Sequence, residues 1–511
     1  MMSKNFYVST AISYTNGPPH IGHTYEAIAA DVIARFHRLK GENVFFLTGT
    51  DEHGLKVKQK AREENITPQE LSNELSLKFI ELTKTFNCSN DDFIRTTEER
   101  HKRSVKEIWS LMEKNGDIYL DQYSGWYSIR DEAYYGEEEL KKDKEGNFLS
   151  PYGSRVEWIE EESYFFRLSK YQDRLLKFYE EDPDFISPVG RMNEVKSFVS
   201  SGLKDISISR KKLNWGIPVE KDPEHSIYVW VDALTNYLSA LDWQNEGRLY
   251  KDFWPADLHL IGKDIVRFHG VYWPAFLMSA NLSLPKRIFC HGFILNKGEK
   301  VSKSLGNTSD PFQLVKDYGV DQLRYFLMRE TPFGNDGNYS HELITNRVNA
   351  DLANDLGNLA QRILTMVWKN CDSKIPKVAQ LKDNDKLLLE SIPNLYEKLG
   401  DLMKNYQISI YISSIFEVIS LTNKYISNEK PWELNINNQP RMNTVLWVAC
   451  EMLRNISILL QPILVSGSSD LLDALGISEK KRSFKNLGDK DLLKYGTKIP
   501  EPKIIFPRLE L

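Results

Sequence analysis

The sequence predicts an α/β protein in which a doubly wound parallel sheet is interrupted by a β-containing insertion and followed by an all-α helical bundle. Three observations carry that prediction. The first fifty residues read as strand, loop, helix and strand. Apolar strand signals return after residue 225. From about Ala350 onward, apolar residues recur at helical spacing almost to the end.

Phe6-Tyr7-Val8-Ser9-Thr10-Ala11-Ile12 is β-branched and aromatic, as a buried strand should be. Asn16-Gly17-Pro18-Pro19 breaks the chain. A helix begins near Gly22, places Ile28, Val32, Phe36 and Leu39 on one face, and has Gly41 as its C-cap. Asn43-Val44-Phe45-Phe46-Leu47 is a second buried strand. A strand–helix–strand unit this short implies a right-handed crossover and parallel pairing. Residues 55 to about 115 read as helical and charged. From 116 to 225 tyrosines and tryptophans crowd into short segments with turns such as Glu145-Gly146-Asn147, the mark of an inserted β-containing unit. Strands are expected at Ile227–Val231, Leu258–Ile261 and Arg287–Cys290, with a helix from about Asp264 to Ser279 between the last two. Three apolar series then define the bundle: Leu352 to Val367, Ile408 to Leu421 and Val445 to Leu460. The lysine-containing last thirty residues read as an irregular tail packed back on it.

Composition excludes several classes. The 511 residues suggest about three domains at roughly 150 residues each. Hydrophobic residues at 41% and charged residues at 27% fit a folded globular protein and not a disordered one. Lys and Arg number 66 against 71 Asp and Glu, a formal net charge of −5, so indiscriminate polyanion binding is not expected. The four cysteines are Cys88, Cys290, Cys371 and Cys450. No two are close enough for a CxxC metal motif, and the density is too low for a disulfide-stapled secreted fold. Neither a signal-peptide pattern nor a membrane-spanning run is present, so a cytoplasmic location is expected.

Two segments carry chemistry. His20-Ile21-Gly22-His23 sits where the first strand leads into the first helix. Two imidazoles three apart at a helix start, with the helix N–H groups, make a polyphosphate site, and Gly22 lets a flat base or ribose approach the backbone. Alone, the tetrapeptide serves equally as a surface turn. Lys300-Val301-Ser302-Lys303-Ser304, between Gly298 and Gly306, offers lysines and hydroxyls on a loop able to close over phosphates. Alone, it reads more readily as a solvated charged loop.

In this order, at the two ends of an interrupted α/β sheet, the pair resembles the HIGH and KMSKS signatures of the class I aminoacyl-tRNA synthetases. Val301 replaces the methionine of the second. Finer matches are similar to the methionyl-tRNA synthetase family. They are Ala11-Ile12-Ser13-Tyr14, the run from Tyr228 to Tyr237, Gly262 to His269, Asp351 to Arg362, and Lys430-Pro431-Trp432. The likeness runs from about residue 5 to 435 and continues weakly to the end.

That resemblance implies a Rossmann-type catalytic domain in two halves, 1–115 and 226–298. It implies an inserted connective domain at 116–225, a KVSKS loop and stem-contact region at 299–349, and a helical anticodon-binding domain with a C-terminal tail at 350–511. It implies a ligase that activates L-methionine with ATP and Mg²⁺ to methionyl-adenylate and transfers it to the 3′ end of methionine tRNA, for translation initiation and elongation. His20, His23, Lys300 and Lys303 are the implied catalytic groups, with Gly22 and Ser302 also at ATP. Ala11, Ile12, Tyr14, Asp51, Trp230, Tyr237, Ile265, Phe268 and His269 are implied at methionine. There the Ile12 N–H and the Tyr237 hydroxyl would donate to sulfur, and Asp51 would accept from the ammonium group. Asn358, Arg362 and Trp432 would read the CAU anticodon. Many relatives carry a zinc knuckle in the insert. Residues 116–225 hold no cysteine, so no structural zinc is expected and packed aromatics are expected to hold the insert together. With no appended C-terminal domain after Leu511, a monomer is expected.

Two other readings stay open at the level of sequence. Another class I synthetase for an aliphatic residue needs a larger editing insertion, and one for cysteine needs metal–thiolate ligands. A class I-like nucleotidyltransferase would lack the helical domain with Asn358, Arg362 and Trp432.

Overall fold

The computed structural model describes residues 4–131, 133–211, 213–296, 299–300 and 310–510, with backbone alone at 133, 134, 296, 299, 300 and 435–437. Its centre is a seven-stranded sheet in which every pairing is parallel. Across the sheet the order is Ile186–Ser187, Ile288–His291, Leu258–Gly262, Asn5–Thr10 and Asn43–Asp51. Ser13–Tyr14 and Asp92–Arg95 both pair with Asn43–Asp51. The chain winds outward from Asn5–Thr10 to one edge, then returns to build the other half from Leu258–Gly262. The switch point therefore lies between Thr10 and Gly262, where sheets of this kind leave a crevice for ligands.

Alternation along the strands divides the core. Phe6, Val8, Val44, Phe46, Leu258, Leu260 and Phe289 face one side, where the first helix and the C-terminal bundle form one continuous apolar cluster. Tyr7, Phe45, Leu47, Ile261, Ile288 and Cys290 face the other, against helix Glu99–Lys114 and the segments around 166–280. A sheet buried on both faces needs apolar residues at consecutive positions, which is why these strands read as unbroken apolar runs.

The first helix spans Ile21–Lys40. His20 is its N-cap, and Gly41, at φ 95°, closes it in the left-handed region. Ile28, Val32 and Phe36 are buried. The expected charged helical stretch resolves into helices Leu55–Glu63, Pro68–Thr85 and Glu99–Lys114, with the unanticipated strand Asp92–Arg95 between the last two.

Between 116 and 225 lies a four-stranded antiparallel sheet ordered Ile206–Ser207, Glu157–Phe166, Ile118–Ser128, Ala133–Tyr135. The same range also returns Ile186–Ser187 to the main sheet, between helices Gln172–Glu181 and Val189–Ser200. Trp126 packs on Phe148 and Trp158 at 4.7 and 5.3 Å between ring centres.

Two later elements differ from expectation. Val229–Leu234 is a helix rather than the end of a strand. A short apolar run is ambiguous in period, and here a buried polar contact of Asp232, described below, favours the helical turn. The helix expected from Asp264 to Ser279 is instead a 3₁₀ turn at Lys263–Ile265, a π-turn at Phe268–Tyr272 and an α-helix at Trp273–Ser279. Such π-turns are frequent at functional sites. The bundle comprises Asn358–Asn370, Asp383–Lys404, Ile408–Glu429, Gln439–Leu460 and Val465–Ala474. Among the described residues no helix is long and apolar enough to cross a membrane.

Candidate active site

A cavity of about 400 Å³ opens beside the switch point. Ala11, Ile12, Tyr14, Asp51, Trp230, Tyr237, Ile265, Phe268 and His269 all line it. They come from four stretches of chain: the end of the first strand, the end of Asn43–Asp51, the helices after Tyr228 and the π-turn. Trp230 and Phe268 stack face to face, 3.7 Å between centres and 6° between planes. The lining combines apolar and aromatic walls with a few polar and charged groups, as a small-molecule site requires.

One of the polar groups is His269. Its Nδ1–H donates to the Ile265 carbonyl at 3.0 Å. Burial pushes the ring down to about 4, so it is neutral near pH 7. With the proton on Nδ1, Nε2 accepts, and the Tyr237 hydroxyl donates to it at 2.8 Å. The Tyr237 hydroxyl proton is thus directed to His269. Behind Tyr237, the ring of His259 stacks at 3.9 Å. Burial holds His259 well below the usual imidazole range.

Asp51 sits where strand Asn43–Asp51 ends, and the two residues after it are pinned. Glu52 takes Arg95 Nε at 2.6 Å and the Thr50 hydroxyl at 2.8 Å. His53 Nδ1 meets Asp232 at 2.7 Å, and His101 Nε2 meets the other oxygen of Asp232 at 2.6 Å. Burial opposes charge on Asp232, but the two histidines outweigh it and hold its carboxyl down at about 2. This buried triad links the Asp51 loop to the helix that carries Trp230. No local pattern marks it, since its members lie far apart in the chain.

At the start of the first helix, Gly22 N–H donates to His20 Nδ1 at 3.0 Å, and His20 N–H donates to His23 Nδ1 at 3.1 Å. The rings lie 3.9 Å apart. Both Nδ1 atoms accept, so the proton of each neutral ring resides on Nε2. His23 lies with Ser13, Glu26 and Gly49 in a separate small cleft, while Ile12 and Tyr14 turn to the cavity. One turn along the helix, Glu26 meets His291 Nε2 at 2.7 Å. Burial raises Glu26. Burial opposes the His291 imidazolium, yet the Glu26 bond holds His291 above its ordinary range. Asp264, which lines the cavity, acts on both.

Lys300 belongs to a short strand, Glu299–Lys300, paired antiparallel with Ile294–Asn296. Ser302 and Lys303 lie outside the described residues.

Asn358 and Arg362 share one face of their helix, and Arg362 donates to Asn423 Oδ1 at 2.8 Å. Trp432 is 46% exposed, just after Pro431 and the left-handed Lys430 at φ 44°.

Sequence reasoning missed the contribution of the insert. Arg130, Asp131, Tyr135, Tyr152 and Ser154 also line the cavity, as does Lys56. Among the described residues no group of three or more His, Cys, Asp or Glu is placed to hold a metal ion.

A family model described as tRNA synthetases class I (M) matches residues 6–145 and 148–364. The chain is 53% identical to a methionine–tRNA ligase of Brucella suis over 508 residues, covering 99% of this chain and 98% of that one. It is 54% identical to a methionine–tRNA ligase of Rhizobium meliloti over 505 residues, covering 98% of each. A structure of Mycobacterium tuberculosis methionyl-tRNA synthetase in complex with methionyl-adenylate superposes with a TM-score of 0.96 at 49% identity, covering 99% of this chain and all of that one. The chain belongs to the methionine–tRNA ligases, within the class I tRNA synthetases.

Proposed function

We propose that the cavity beside the switch point holds methionine, and that ATP lies between it and the start of the first helix. The observation that carries this reading is the convergence of nine residues from four distant segments on one cavity of about 400 Å³. The Trp230–Phe268 stack and Ile265 give flat apolar walls for a flexible thioether side chain. Asp51 accepts from the ammonium group. A thioether is a weak acceptor, so turning the Tyr237 proton from His269 to sulfur gives up a stronger hydrogen bond, a cost that the apolar contacts of the bound side chain offset.

A carboxylate oxygen of methionine attacks the α-phosphorus of ATP in line. The bond to the β-phosphate breaks and pyrophosphate leaves; Mg²⁺, as the counter-ion of ATP, would supply further charge neutralisation on the phosphates. The terminal ribose hydroxyl of tRNA then attacks the methionyl carbonyl and AMP departs. The Nε2–H groups of His20 and His23, with Lys300 and Lys303, stabilise charge on the phosphates, while Ser302 and the bare backbone of Gly22 complete the ATP site. Glu26, Asp264 and His291 at the switch point suit the ribose hydroxyls. Asn358, Arg362 and Trp432 form the anticodon reader for a CAU triplet, by base-edge hydrogen bonding and stacking. The domain limits follow the sequence reading: catalytic halves at 1–115 and 226–298, an insert at 116–225, a stem-contact region at 299–349 and an anticodon domain at 350–511. The protein acts as a monomer in the cytoplasm.

Pyrophosphate exchange against all twenty amino acids tests this. Exchange with methionine alone, impaired through a raised KM for methionine in Trp230→Ala and Asp51→Ala, is expected. An unchanged KM for methionine in both variants would remove the cavity from the mechanism.

A further inference from the structure

We propose that Asp131 is a positioning residue that holds the insert in place as one wall of the methionine cavity. The inference rests on the assignment of that cavity to methionine.

Asp131 lies in the turn between strands Ile118–Ser128 and Ala133–Tyr135, where its N–H donates to the Ser128 hydroxyl at 3.1 Å. Three hydroxyls converge on its carboxylate. Ser154 donates to Oδ1 at 2.6 Å, and Ser150 and Tyr135 donate to Oδ2 at 2.5 and 3.1 Å. Ser150 and Ser154 bracket a second turn, closed by Ser150 N–H to the Ser154 carbonyl at 2.7 Å and by Gly153 N–H to the Ser150 carbonyl at 2.9 Å. Both serines are buried. One carboxylate therefore ties two turns to each other just beyond the end of the ladder that pairs Tyr127 with Glu157.

The tie bears directly on the cavity. Asp131, Tyr135, Tyr152 and Ser154 all line it. Tyr135 and Val156 form a small apolar cluster against which Phe268 packs, and Phe268 is the ring stacked on Trp230. Loss of the tie would free the two turns and remove the support behind Phe268. Hydroxyls both donate and accept, so an amide at 131 can keep the three contacts by rotation of the hydroxyl protons, whereas a methyl cannot. This separates a positioning role from direct attraction of the methionine ammonium, which would need the charge.

The test is steady-state pyrophosphate exchange by the full chain, with KM for methionine, KM for ATP and kcat measured for four variants. Asp131→Ala, and separately the double variant Ser150→Ala with Ser154→Ala, should raise KM for methionine tenfold or more. KM for ATP should stay within twofold and kcat within threefold. Asp131→Asn should stay within threefold of the unaltered protein in KM for methionine. Trp230→Ala reports on the cavity itself. If Trp230→Ala raises KM for methionine while Asp131→Ala and the double serine variant do not, the proposal is overturned and the cavity assignment stands. If Trp230→Ala leaves KM for methionine unchanged, the cavity assignment falls and the proposal with it. Equal impairment of Asp131→Asn and Asp131→Ala would also overturn positioning, in favour of a charge contact. Should Asp131→Ala fail to fold, the double serine variant decides alone.

Discussion

Replacement of Asp232 by Asn should loosen both the fold and the methionine cavity. Asp232 is fully buried and accepts from His53 at 2.7 Å and from His101 at 2.6 Å. Its carboxyl lies at about 2 rather than 3.8. At about 1.4 kcal/mol per pKa unit, this preference for the charged form contributes about 2 kcal/mol to folding. The amide of Asn keeps the volume but turns an N–H₂ toward one histidine, adding an unsatisfied polar contact of about 1–3 kcal/mol. A loss of about 3–5 kcal/mol is therefore expected at pH 7. The urea midpoint, followed by tryptophan fluorescence, measures it, with an unchanged slope if only stability has changed. The sign of the pH dependence is fixed by the lowered value. The contribution is complete above about pH 4 and disappears as pH falls through about 2, so the gap between the two proteins should hold from pH 7 to pH 4 and narrow only below. His53 lies two residues after Asp51, and Trp230 two before Asp232, so KM for methionine should rise in the same variant. Equal midpoints at pH 7, or a gap that closes already near pH 6, would refute the reasoning.

His269 titrates at about 4 in the fold against 6.5 when exposed. Between those values the unfolded chain binds the extra proton, so stability falls with pH, by about 2 kcal/mol from pH 7 to pH 5. The difference in melting temperature between the unaltered chain and His269→Gln should shrink over that range; a constant difference would show that His269 is not held neutral. Lys303→Ala should slow adenylate formation about a hundredfold with methionine binding nearly intact, by analogy with loss of one charge-stabilising donor. Near-normal pyrophosphate exchange would count against it. Trp432→Ala should lower kcat/KM for tRNA about ten- to a hundredfold, the worth of one stacked base, and leave pyrophosphate exchange unaltered. Loss of exchange in that variant would point instead to a packing role.

Much was legible in the chain itself. The strands at Asn5–Thr10, Asn43–Asp51, Leu258–Gly262 and Ile288–His291 announce themselves because a sheet buried on both faces demands unbroken apolar runs. The first helix is marked by its apolar stripe and by Gly41, which alone suits its left-handed corner. The nine cavity residues were reached from matched motifs, which record chemistry the chain must keep in order. Tertiary structure decided the rest. Val229–Leu234 turned helical because a buried Asp232 faces two histidines from distant segments, a demand that local propensity cannot express. The proton of Tyr237 went to His269 because burial keeps that ring neutral and the Ile265 carbonyl fixes its tautomer. Asp131 became part of the cavity wall because three hydroxyls, two from the Ser150–Ser154 turn and one from strand Ala133–Tyr135, meet it in space. Periodicity and motif are properties of neighbours along the chain, whereas burial and polar pairing depend on what folding brings together.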